Sequence, residues 1–313
     1  MRKRPDFSSL AQFVSVGLFF FALCAAAQPA PKHSKTLLAV FAHPDDETIV
    51  SPVLAAYARQ GVKVHLVIAT DGRRGVQPHA GIPAGEALAK VRAEEARCSA
   101  RELGVQPPIL IGLEDAGLAT IVPWPGERLD YLAEVLKKLL ADINPDVVIT
   151  WGPEGAYGHA DHRLVGDVVT QLFQAGGDNA RRKLYFVGFT AERIDKAPRW
   201  FGFKVYPTAP ELLSARVPFT EKDSVAARKA LSCHKSQATA AMMDQSFAAL
   251  TSLWNGQVWF QQWRGGKSSN DLFSFRGAAD HVDVFESRTG VEQHHHVGRF
   301  QEATLAKGAV SGQ

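Results

Sequence analysis

Apolar residues follow two rhythms along this chain. The unbroken apolar run at 36–42 predicts a strand buried on both faces, and the segments 62–69, 108–113, 146–150 and 183–189, rich in Val, Ile, Leu and Phe, read as further strands. Helical spacing fills the intervals at 50–60, 84–103 and 162–173, with Gly104 where a C-cap glycine belongs. The clearest helix carries Leu129, Leu132, Leu136, Leu139, Leu140 and Ile143 on one face, and Asn144-Pro145 stops it. Strands alternating with helices predict an α/β class domain, a mostly parallel sheet in the order 3-2-1-4-5 with helices on both faces. Beyond about residue 207 the pattern changes. Residues 220–243 read as one charged helix, 248–263 are aromatic-rich, and from 277 onward the chain is polar and weakly patterned.

The N-terminus follows neither rhythm. Arg2, Lys3 and Arg4 precede an apolar stretch at about 13–27, closed by Ala25, Ala26, Ala27 and Ala30. That is the layout of a signal peptide, too short to span a bilayer. The expected organisation is a signal peptide at 1–30, one domain at 31–275 and a partly ordered tail at 276–313. The expected location is exported, periplasmic or secreted, with no stable membrane span after cleavage. Composition is that of an ordinary globular protein, 46% hydrophobic and 21% charged. Loss of the leader lowers the formal net charge from +3 by two, and no run of like charge remains to suggest nucleic-acid binding. Cys98 and Cys233 remain, and sequence leaves their pairing open; two core-like thiols is the simpler reading. The adjacent His294, His295 and His296 cannot easily converge on one ion.

Two polar clusters carry the candidate chemistry. The first, Ala42-His43-Pro44-Asp45-Asp46-Glu47, follows the first strand; the second, Tyr157-Gly158-His159-Ala160-Asp161-His162, follows the fourth through a Gly/Pro-rich loop. In a 3-2-1-4-5 sheet those strands are neighbours whose connections leave on opposite faces, so the clusters would meet at the switch point. Two imidazoles and a carboxylate make an open divalent-metal site; a spare carboxylate supplies a base and a spare imidazole an oxyanion partner. Each cluster also has a plainer use: Asp45 or Asp46 as a helix cap, His159 or His162 as hydrogen-bonded loop residues.

These motifs resemble the PIG-L/LmbE-like family of metal-dependent de-N-acetylases. The resemblance runs from about Thr36 to Gln237. It includes Thr70-Asp71-Gly72, Arg92, Glu95, Leu103 and Gly104, Leu113-Glu114-Asp115-Ala116-Gly117, and Cys233-His234-Lys235-Ser236-Gln237, which is similar to a His-x-Ser-Gln element. It implies a Rossmann-like fold and removal of an N-acetyl group from an N-acetylglucosamine-type sugar or glycoconjugate. The implied metal ligands are His43, Asp46 and His162, holding Zn2+ or another divalent ion such as Fe2+. Asp45 would be the base, His159 would stabilise the intermediate with Asp161 orienting it, and Tyr157 would help polarise the carbonyl. Arg92 and Asp115 would contact the sugar. Arg73 and Arg74 depart from the family pattern, as acid binders or as a solvated loop. Trp254, Trp259 and Trp263 would pack the C-terminal region or stack on sugar. Two further readings stand beside this one: a non-haem iron oxygenase, which shares the ligand types but needs a β-rich barrel, and a non-catalytic sugar-binding protein.

Overall fold

The computed structural model describes residues 34–119, 126–197 and 204–274. The signal-peptide, tail and His294–His296 readings lie outside the described residues. The elements run β1 (Thr36–Phe41), α1 (Ser51–Arg59), β2 (Lys63–Thr70), α2 (Glu86–Leu103), β3 (Ile109–Leu113), α3 (Gly126–Ile143), β4 (Val147–Thr150), a short α4 (Gly155–Gly158), α5 (Ala160–Gln174), β5 (Lys183–Val187), α6 (Ala191–Lys196), β6 (Ala215–Pro218), α7 (Glu221–Leu231), α8 (Ala240–Trp254) and β7 (Gln257–Gln262).

The seven strands form one sheet in the order β3-β2-β1-β4-β5-β7-β6. The first five are parallel in the expected 3-2-1-4-5 order. Every residue of β1 is buried, as its unbroken apolar run requires. Leu37, Ala39 and Phe41 pack with α1, α2, α7 and α8, while Leu38, Val40 and Ala42 pack with α3 and α5. The helices after β1 and β4 therefore lie on opposite faces, and a crevice opens between the two strand ends. On α3, Leu132, Leu136 and Leu140 are buried, and the chain leaves the helix through Asn144 in the left-handed region. Gly166 brings α5 close to β4: a Cβ there would sit 2.5 Å from the Trp151 carbonyl oxygen.

The C-terminal part differs from expectation. The helix expected over 220–243 is two helices, α7 and α8, separated by a turn at Cys233–Thr239. The turn breaks the helix because its polar side chains bury themselves: Ser236 binds Glu95, and His234 binds Glu47. The aromatic-rich segment divides into the end of α8 and β7, which adds antiparallel to β5 and carries β6. The three tryptophans pack: Trp254 is fully buried and donates to the Ile49 carbonyl, Trp259 lies against the guanidinium groups of Arg193 and Arg216, and Trp263 sits on Phe173.

Cys98 and Cys233 form a disulfide with Cα atoms 5.8 Å apart, against the free-thiol reading; α2 and α7 lie side by side and bring the two residues together. The bond closes a span of 135 residues. Paired Cys→Ser substitution should therefore cost about 5 kcal/mol, by chain-entropy reasoning, and lower the melting temperature by about 15 °C. Calorimetry of oxidised and doubly substituted protein checks this; an unchanged melting temperature would contradict it.

Candidate functional site

β1 ends at Phe41 and delivers His43, Asp45 and Asp46 into the crevice; the turn after β4 delivers Tyr157, His159 and His162 from the other side. Together with Arg92 and Asp115 they line a cavity of about 630 Å³. All nine residues singled out from the sequence converge here, Asp161 lying directly beneath.

The centre is a triangle of ligand atoms. His43 Nδ1 lies 3.1 Å from His162 Nε2, His162 Nε2 lies 3.1 Å from Asp46 Oδ1, and His43 Nδ1 lies 3.6 Å from Asp46 Oδ2. Ligands 2.0–2.1 Å from a shared tetrahedral ion stand about 3.4 Å apart, so the spacing suits one. Proton bookkeeping sharpens the point. His162 Nδ1 is 3.2 Å from the Gly155 carbonyl, which can only accept, so that nitrogen carries the ring proton. His43 Nε2 faces Asp115 Oδ1 at 3.2 Å and Asp161 Oδ2 at 3.3 Å, which assigns its proton likewise. The two remaining nitrogens, His43 Nδ1 and His162 Nε2, then face each other and the Asp46 carboxylate, so the pocket favours positive charge, held as a proton or as a cation in its place. The surroundings agree. Burial opposes charge on His43, but Asp115, Asp161 and Asp46 outweigh it and raise its pKa well above the ordinary value. Burial likewise works against ionised Asp46, yet His162 and His43 hold it well below the usual carboxylate range. His159 brings a ring nitrogen within 4.8 Å of the other two histidines, and His43, Asp115 and Asp161 form a second such group. The fully buried His162 and nearly buried Asp46 have their other atoms committed to orienting bonds, which favours the His43, Asp46 and His162 set.

Asp46 is not a helix cap. Its Oδ2 accepts from the amides of Ala42 and His43 at 3.0 and 2.9 Å and from Trp151 Nε1 at 3.1 Å. Trp151 also stacks on His162, with centroids 4.5 Å apart and planes 4° from parallel. This residue escaped the sequence reading; its only signal was an aromatic residue at the mouth of a core strand.

Asp45 stands apart from the triangle. Its φ of +107° is left-handed, a strained conformation for a residue with a Cβ, costing about 1–3 kcal/mol. Its carboxylate is one-third exposed to the crevice and accepts from Arg92 at 2.9 Å. Loss of solvent raises its pKa; Arg92 pulls it down, and Asp46 and Glu47 push it up again. The Arg92 guanidinium also serves the carbonyls of Pro44 and Gly72, so it is tied to the Asp45 turn as well as facing the cavity. Asp115 faces His43 and accepts from the Arg74 amide, with its pKa lowered to about 2. Burial works against that shift, and His43 outweighs it.

Asp161 meets His159 through its backbone amide and not through its carboxylate. Asp161 sits in the first turn of α5, and its carboxylate turns inward to His43 and the Ala116 amide. Its own amide donates to His159 Nδ1 at 3.2 Å. That bond makes Nδ1 an acceptor and leaves Nε2–H as a donor. Burial, then His43 and His162, lowers the His159 pKa and keeps the ring neutral. Tyr157 lies edge-on to both His159 and His162. Arg73 pairs with Asp71 and Arg74 with Glu114 on the rim, the solvated-loop reading.

Residues 38–173 match the family model described as "PIG-L: GlcNAc-PI de-N-acetylase". That span is a little under half of the chain. Over 159 residues it is 31% identical to a 1D-myo-inositol 2-acetamido-2-deoxy-alpha-D-glucopyranoside deacetylase of Rhodococcus opacus, covering 46% of this chain and 54% of that protein. The chain spans about half the length of the curated relatives it matches. Among solved structures this fold is shared with N,N'-diacetylchitobiose deacetylase from Pyrococcus horikoshii, at a TM-score of 0.54 and 20% identity over 74% of this chain and 83% of that one. It is also shared with GalB, the 4-carboxy-2-hydroxymuconate hydratase of Pseudomonas putida, at 0.51 and 16% over 73% and 96%. Such likeness establishes the fold alone, and a hydratase among the neighbours means that the reaction must be argued from the site.

Proposed function

We propose that this protein hydrolyses the N-acetyl amide of an N-acetylglucosamine-type sugar or glycoconjugate, with a divalent cation, zinc or iron, held by His43, Asp46 and His162. The observation that carries the reading is the convergence of two imidazole nitrogens and a carboxylate beneath a cavity, with the Asp45 carboxylate left over beside them. When bound, the cation would polarise the amide carbonyl and acidify a water. The residues of the chain do the rest. Asp45, its pKa raised by burial, accepts the water's proton as the oxygen adds to the carbonyl carbon. The neutral His159 offers Nε2–H to the developing oxyanion, with the Tyr157 hydroxyl on the same wall. The protonated Asp45 then gives that proton to the nitrogen as the C–N bond breaks, so the amine leaves protonated, acetate is released and the Asp45 carboxylate is restored. Arg92 and Asp115 line the same cavity, which supports a role for both in contacting the sugar.

The activities of the related proteins, deacetylases of an inositol-linked N-acetylglucosamine and of diacetylchitobiose, support the substrate class. The oxygenase reading lacks the barrel it needs, because the chain folds as an α/β sheet. Export is part of the proposal, supported by the Cys98–Cys233 disulfide, a bond that persists in oxidising compartments. The test is acetate release across a panel of N-acetylated sugars, chitobiose and inositol conjugates by protein loaded with zinc or iron. No release from any member by metal-replete protein would sink the reading.

A further inference from the structure

A second polar network borders the cavity, whose wall includes His234 and Gln237, and is used by none of the steps above. Glu47 is fully buried between β1 and α2. Its Oε2 accepts from the Asp45 amide at 3.0 Å. Its Oε1 accepts from Ser99 Oγ at 2.5 Å and faces His234 Nε2 at 2.8 Å. His234 is itself buried, and its Nδ1 has no hydrogen-bond partner among the described residues. With no other hydrogen bond on the ring, its direction is set by Glu47. The disulfide adds a second observation. Ser99 follows Cys98 and His234 follows Cys233, so the bond joins the residues just before the two groups that meet on Glu47 Oε1. Ser236 on Glu95 and Gln237 on the Gly75 carbonyl pin the rest of that turn to the cavity wall.

We infer that His234 is a positioning residue: acting through Glu47, it holds the Asp45 backbone in the left-handed turn that aims the Asp45 carboxylate into the cavity. The physical reason is local. A buried carboxylate keeps its orientation only while its oxygens are satisfied. The Asp45 turn is one that an aspartate leaves unless its surroundings hold it. Glu47 supplies the hold, and His234 with Ser99 fixes Glu47. The inference rests on the proposed role of Asp45, and it assigns function to a residue beyond the 38–173 span of the family match.

Two substitutions separate positioning from mere structure. His234→Ala removes the partner; His234→Gln restores an N–H donor to Glu47. Relative to native protein, His234→Ala should lower kcat by about 10–100-fold, the range for residues that orient an active group, with KM and bound cation per chain unchanged. His234→Gln should recover most of that loss. Crystal structures should show Asp45 out of its positive-φ turn and away from Arg92 in the alanine variant and native-like in the glutamine variant. An alanine variant with native kcat, or one that keeps the Asp45 turn and its Arg92 contact, overturns the inference. So does a loss of activity that tracks loss of the cation and is not rescued by glutamine. Should His234→Ala fail to fold, Glu47→Gln carries the same measurements. Should native protein release no acetate from any substrate, the deacetylase reading fails, while the crystallographic comparison still decides whether His234 sets the Asp45 turn.

Discussion

Asp45→Asn is expected to lower kcat for acetate release by about 10²–10⁴-fold while leaving one divalent cation bound per chain. Asparagine is close in size and can still accept from Arg92, so the turn and the cavity survive. What disappears is the ability to take a proton from water. The prediction is sharp because Asp45 and Asp46 are adjacent carboxylates with opposite surroundings. Asp46 accepts two backbone amides and an indole N–H and sits against both imidazoles, which hold it ionised. Asp45 faces the crevice with one arginine, and burial raises its pKa toward that of a useful base. Elemental analysis together with steady-state kinetics decides the matter. Undiminished turnover, or loss of the cation along with activity, would move the base elsewhere.

His162→Ala should abolish cation binding, with the dissociation constant rising by more than about 10²-fold, because loss of a ligand exceeds the 10–100-fold typical for loss of an orienting partner. Thermal melts show this without any substrate. Native protein at a free zinc concentration a hundred times its dissociation constant should gain about 2.7 kcal/mol of stability, seen as a higher melting temperature. The variant should show no such gain. His162 is fully buried and stacked on Trp151, so the variant's metal-free fold should also be less stable, and the zinc effect is read against the variant's own metal-free melt. A zinc-dependent rise in melting temperature equal to that of native protein would place the cation elsewhere, for instance with His43, Asp115 and Asp161.

Several particular residues show how far the chain could be read in advance. The run 36–42 announced a strand covered on both faces, and the leucines of α3 announced a helix with one buried stripe; both depend on short-range periodicity that apolar burial enforces. The turn at Cys233–Thr239 could not be read this way. Its residues have ordinary helical propensity, and the helix breaks only because Glu47 and Glu95, some 190 and 140 positions earlier, offer buried carboxylates that need donors. Asp161 teaches the same lesson on a smaller scale. Its place beside His159 suggested one partner, and the inward tilt of the first turn of α5 gave its carboxylate to His43 instead.

By itself the sequence determined the alternation of strands and helices and the polar residues that stand at two strand ends. Each follows from spacing along the backbone and from the rule that apolar runs must be buried. The 3-2-1-4-5 order is assumed from that alternation and borne out by the strand pairing. Only the tertiary structure decided which nitrogen of each imidazole is free, why adjacent aspartates differ, that Cys98 meets Cys233, and that Glu47 ties a distant histidine to the Asp45 turn. Those are questions of distance and direction between groups far apart in the chain. Hydrogen bonds and charges act over a few ångströms in space, and spacing along the sequence does not measure that.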